Sequence, residues 1–199
     1  MSRGLGDVYK RQEQMNAQIG AIIDKEVTAT VIPGFINWET YRAFKRAMYS
    51  VKSSEYNSEQ KDDFIVQSYS LMNLFMTAVF SIGLLEELIE YGIVDSVEKP
   101  DQRLHRIEET AKGFPDFLKE SATSVVSILE DAYLELHDST YKETAFLKAI
   151  ETHQGKIAVI VPKAYFGIVI NKLLSLHNLD SRANICIMTC LLYTSPSPR

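Results

Sequence analysis

Residues 142–189 read KETAFLKAIETHQGKIAVIVPKAYFGIVINKLLSLHNLDSRANICIMT, and the hydrophobic pattern changes character within them. Thr140 and Glu143 have the spacing of a capping box, so a helix starts there, runs to His153 and ends at Gly155. Ile157-Ala158-Val159-Ile160-Val161 is a continuous apolar run, the pattern of a strand buried on both faces in a parallel sheet. Pro162-Lys163 ends it. Residues 164–176 return to helical steps at Tyr165, Val169, Leu173 and Leu176, and after residues 178–182 the run Ile185-Cys186-Ile187-Met188 is a second apolar strand. Strand, helix, strand with short links is a βαβ unit, which pairs its strands in parallel through a right-handed crossover.

Toward the N-terminus the chain is mostly helical. Residues 13–26 read as a short helix, and the β-branched run 27–32 as a strand stopped by Pro33-Gly34. Asn37 can cap a helix from Trp38 to about Val51, with Trp38, Tyr41, Phe44 and Met48 along one side. Residues 53–63 (SSEYNSEQKDD) read as a polar surface loop. Residues 64–91 are apolar on several sides, which predicts one helix enclosed by others, broken near Gly92. Pro100-Asp101 opens a helix closed by Lys112 and Gly113, and Pro115 fits the first turn of the next. There Leu118, Ala122, Val125, Val126, Leu129, Ala132, Tyr133 and Leu136 recur at three- and four-residue steps, the cleanest amphipathic pattern in the chain. Residues 71–85 are the one membrane candidate. They fall short of the roughly 20 apolar residues a span needs, contain Asn73 and run into Glu86-Glu87, so a buried helix is expected instead.

Both ends read as translated DNA of another origin. Residues 2–12 (SRGLGDVYKRQ) and 190–199 (CLLYTSPSPR) can be back-translated into strings that are reverse complements of each other and resemble the transposase adaptor used in sequencing libraries. Residues 1–12 and 190–199 are therefore set aside as adaptor-derived, and the remainder is expected to be an internal piece of a longer gene. Without them Lys+Arg falls from 21 to 17 and Asp+Glu from 26 to 25, moving the formal charge from −5 to −8. That balance excludes a global electrostatic drive toward nucleic acid or anionic lipid and leaves room only for a local basic surface. The expected organisation is the end of an α/β domain at 13–36, a helical insertion or bridging region at 37–141, and the start of a second α/β domain at 142–189. The fold class is mainly α with a C-terminal α/β part.

Chemical motifs are sparse. Gly155-Lys156 precedes its strand, whereas a phosphate-binding loop follows one, so that loop is rejected. His105 and Glu108 share a helix face, but a bundle metal site needs further carboxylates from partner helices, and no metal site is assigned. Glu86, Glu87, Glu90, Glu130, Asp131 and Glu135 read as solvated helix faces. His137, His153 and His177 lie near helix C-termini, where a positive imidazole is favoured. Cys186, in an apolar run, is expected to be a buried thiol in a reducing compartment, the cytoplasm.

The order KETAFLKAIETHQGK, IAVIVPK, AYFGIVINKLLSL, ANICIMT resembles the opening of the second RecA-like domain of superfamily 2 helicases. The phrase IAVIVPKAYF is similar to the DrmE component of DISARM phage-defence systems. The resemblance covers about a quarter of the chain and includes neither a phosphate-binding loop, nor an acidic metal-binding box, nor an arginine-bearing motif. It implies a helicase-like, nucleic-acid-dependent NTPase component, with ATP and Mg as cofactors and DNA and other defence-system proteins as partners. No cofactor and no catalytic residue can be read from the chain itself. The alternative is a non-enzymatic helical interaction or scaffold protein. If nucleic acid is bound, the expected place is the carboxyl end of the strand at 157–161, where ligands gather in open parallel sheets. Lys163 there suits a phosphate, and Tyr165 could lie beside it. The plainer alternative makes Lys163 a solvated loop lysine and packs Tyr165 on the sheet.

Overall fold

The computed structural model describes residues 38–153, 155–179 and 185–189. The strand expected at 27–32, the proposed cap Asn37 and both adaptor-like ends lie outside them. Among the described residues six helices come first: α1 (Trp38–Ser53), α2 (Glu59–Thr77), α3 (Ile82–Glu90), α4 (Pro100–Lys112), α5 (Asp116–His137) and α6 (Tyr141–Thr152). Then follow β1 (Ile157–Val161), α7 (Ala164–Leu176) and β2 (Ile185–Thr189), the two strands pairing in parallel from Ile157↔Ile185 to Val161↔Thr189. The protein is mainly α with a small C-terminal parallel βαβ.

The amphipathic stripe of α5 organises the helices. Leu118, Ala122, Val125, Val126, Leu129, Ala132 and Leu136 are buried, and α1, α2, α3 and α4 all pack on this helix. On α1, Phe44 and Met48 supply the facing core side chains. One continuous set of buried side chains runs from these helices to Val161, Phe166 and Val169, so α7 and the end of β1 share the core of the helical region.

Three stretches depart from the pattern their sequence suggests. The polar run 53–63 is mostly not a loop. Ser58 caps α2 by accepting from the Lys61 amide at 3.1 Å, and helix begins at Glu59. Lys61 is only 4% exposed; its ammonium donates to the carbonyls of Lys52, Ser54 and Tyr56 at 3.3, 2.9 and 2.8 Å. It thereby satisfies one carbonyl that the last turn of α1 leaves open and two in the connection that follows.

The apolar run 64–91 is two helices, not one. Their axes turn by 112° at residues 78–81. Ala78 leaves helical space with φ −60° and ψ 132° while its amide still reaches the Leu74 carbonyl at 2.8 Å. Ser81 lacks a side-chain cap bond, and its amide donates instead to Glu143 Oε2 at 2.8 Å. The neighbouring Lys142 ammonium donates to the Met76 carbonyl, so the first turn of α6 pins the corner from both sides. Ala78, Phe80 and Ile82 are all buried, and an apolar corner is indistinguishable from an apolar helix by hydropathy. Among the described residues no single helix is long and apolar enough to cross a membrane.

β1 is covered on one face only. Ile157 and Val159 are half-buried on the side of α7, whereas Ala158 and Ile160 are exposed, Ile160 by 66%. Cys186, paired with Ala158, is exposed on that same open face and is not the buried thiol expected. The cause is architectural: a two-stranded sheet with one crossover helix has one covered face, and Ala158, Ile160, Cys186 and Met188 are exposed on the other. Gly92, just beyond α3, adopts φ +68°, a conformation suited to glycine, whereas Gly113 closes α4 at φ −79°, which any residue could adopt.

Candidate nucleic-acid interface

β1 buries Val161, then Pro162 ends the ladder and Lys163 becomes the N-cap of α7 without a side-chain cap bond. Lys163 is exposed, and its ammonium stands 5.8 Å from the centroid of the Tyr165 ring. Tyr165 itself is only 6% exposed, tilted against Phe166 at 5.0 Å between centroids. Burial pushes its phenol pKa up, and the charge of Arg103 partly offsets this. The two residues singled out from sequence are therefore together, but with unequal access. Lys163 can meet a ligand; the Tyr165 ring supports it from below and is closed to a stacked base.

A groove of about 570 Å³ opens between α2 and this β1–α7 turn, with Lys52, Tyr69, Ser70, Asn73, Lys163 and Tyr165 among its lining residues. A second lysine of the lining repeats the arrangement. The Lys52 ammonium, in the last turn of α1, lies 5.8 Å from the Tyr69 ring, which Phe44 meets edge-on at 5.3 Å. No Asp or Glu lines the groove, and neither lysine pairs with a carboxylate among the described residues. The first turn of α7 adds the positive end of a helix. Such a site can attract and orient an anion, and it holds no group placed for bond breaking. Sequence reasoning missed Lys52 and Asn73 because they come from α1 and α2, remote in the chain. The one available signal was Asn73, a polar residue interrupting LMNLF.

The other polar clusters are internal networks. His105, Glu108 and Glu109 offer ligand atoms within 4.8 Å of one another, but Lys112 already holds the two carboxylates at 2.7 and 2.8 Å. The hydrogen bond from Lys112 holds the Glu108 carboxyl below its ordinary pKa. Glu86, expected on a solvated face, has a side chain only 12% exposed. It accepts from the Asp101 amide at 2.8 Å and the Tyr133 hydroxyl at 3.0 Å, joining α3 to α4 and α5. Burial, then this carboxylate, push the Tyr133 phenol up. A second cleft, about 580 Å³ and mainly apolar, lies between α6 and β1, with Val79, Phe146, Ile150, Phe166 and Ile170 on its walls.

Compared with family models, with curated proteins and with solved structures, the chain matches none.

Proposed function

We propose that this chain belongs to a helicase-like, nucleic-acid-dependent NTPase component, possessing at the carboxyl end of β1 a contact for the phosphate backbone of DNA. The observation that carries this reading is Lys163, exposed and, among the described residues, without a carboxylate partner where β1 gives way to the head of α7. Carboxyl ends of parallel strands and helix N-termini are the two places in such a unit where anions are favoured. ATP, Mg and partner proteins of a defence system enter through the resemblance of residues 142–189; the described residues act on the nucleic acid. The test is Lys163→Ala in the full chain, titrated with single-stranded DNA at two salt concentrations. A lost phosphate contact weakens different sequences alike and flattens the salt dependence. Unchanged affinity and slope would remove this reading.

A second reading, a non-enzymatic interaction protein, is favoured by the apolar cleft beside β1 and the exposed Ile160 and Met188. Among the described residues β1 pairs only with β2, so its other edge can accept an extended segment of a partner as an added strand. This reading predicts no DNA binding even at low salt, about 50 mM.

A further inference from the structure

We infer that the helical region supplies the second half of the phosphate site: Lys52 and Lys163, both lining one groove, hold two phosphates of a single nucleic-acid strand. The inference rests on the reading that Lys163 contacts nucleic acid, and adds to it the residues and the class of ligand.

Four of the described lysines are engaged within the fold. Lys61 and Lys142 spend their ammonium groups on backbone carbonyls, and Lys99 and Lys112 on carboxylates. Lys52 and Lys163 do neither, and each instead rests against a tyrosine ring in contact with a phenylalanine. Lys45 over Tyr41 repeats this elsewhere on α1, and what sets Lys52 and Lys163 apart is that they line one groove. A cation held against a ring face keeps its charge and its hydrogen-bond donors for a ligand. The groove also presents Ser70 and the exposed Asn73, neutral residues able to donate to phosphate or sugar oxygens. A groove lined by two cations and no carboxylate, on a chain of net charge −5, is a local positive surface set in an acidic molecule.

The same geometry excludes base reading by stacking. The Tyr165 ring is buried, and the half-buried Tyr69 ring has Phe44 at a right angle to it and the Lys52 ammonium over it, which leaves little ring face for a stacked base. The strand therefore lies with its backbone in the groove and its bases turned outward, and binding is indifferent to sequence. A strand, unlike one free anion, can engage both lysines of the groove through successive phosphates.

The experiment titrates the full chain and its Lys52→Ala, Lys163→Ala, double-alanine and Lys52→Arg variants with a fluorescent oligothymidine at several salt concentrations. Each alanine should weaken binding several-fold and lower the salt slope by about 0.7, the double by about 1.4. Lys52→Arg should restore the slope. An oligoadenine probe should report the same losses, and millimolar inorganic phosphate should not displace either probe. If Lys163→Ala changes nothing, the function proposed above fails. If Lys163→Ala weakens binding and Lys52→Ala does not, that function stands and the two-lysine site is overturned. Displacement by phosphate alone would overturn the strand as its ligand.

Discussion

Replacing Lys61 with methionine should destabilise the protein far more than a polar residue in the stretch SSEYNSEQKDD would suggest. The substitution keeps length and apolar stem but deletes the ammonium that bonds the Lys52, Ser54 and Tyr56 carbonyls. Two of these bonds, at 2.9 and 2.8 Å, have charge-assisted length, and the 3.3 Å contact is weaker. Bonds to charged groups contribute about 1.5–3 kcal/mol each net, so the loss should be about 3–5 kcal/mol. Carbonyls at the end of α1 that can turn to water put the result toward the lower figure. For a chain of this size each kcal/mol shifts the melting temperature by about 2–4 °C, which gives a drop on the order of 10 °C. Thermal unfolding followed by circular dichroism measures it, with the exposed Lys119→Met as a control expected within about 0.5 kcal/mol of the parent. A Lys61→Met protein melting within about 2 °C of the parent, on the same size scaling, would refute the claim that this ammonium closes the α1–α2 connection.

Phe80, fully buried in the corner between α2 and α3, meets Phe166 of α7 edge-on at 5.0 Å. Phe80→Ala should cost about 3–5 kcal/mol in denaturant unfolding and lower a single transition; two separate transitions would contradict a shared core. Gly92→Ala should cost about 1 kcal/mol or more through its positive φ alone, because no atom lies within 4 Å of the added methyl. Gly113→Ala should be neutral or mildly stabilising, and equal losses at the two glycines would refute the assignment. Burial raises the Glu143 carboxyl pKa, partly offset by the Ser81 amide and by His177. The folded state thus holds that proton more tightly than the unfolded chain. Its contribution is complete below the unfolded carboxyl range, about 4.3, and is lost as pH rises through the higher folded value. Glu143→Gln should therefore compare more favourably with the parent at neutral pH than at pH about 4, read from urea midpoints; the opposite trend would show the carboxylate to be stabilised on folding.

The elements that sequence disclosed are those whose signal is local. The stripe on α5, the Pro100 start of α4, the Thr140 cap of α6 and the two apolar strands each follow from neighbours within a turn or a few residues. Even there the capping box proved half-made: Thr140 Oγ1 accepts from the Glu143 amide at 2.9 Å, but the Glu143 carboxylate turns away to Ser81. That diversion is a tertiary event, and it is also what fixes the corner hidden inside residues 64–91. Lys61 was illegible for a similar reason, since a lysine amid serines and acids reads as solvated until its carbonyl partners are known. Ile160 and Cys186 mislead in the other direction, because apolar character shows that a side chain can be buried and not that a helix exists to cover it. Of the candidate site, Lys163 was legible from its place after a strand. Lys52 was not, because only packing brings α1 and α2 to the head of α7.

Lysine footprinting tests the central claim most directly. The full chain is acetylated with and without saturating single-stranded DNA at low salt, and the extent of modification is read lysine by lysine after proteolysis. The account predicts strong protection at Lys52 and Lys163 together, with Lys119 and Lys148, exposed on other helices, modified equally in both samples. Protection spread evenly over exposed lysines, or confined to lysines outside the groove, would contradict it.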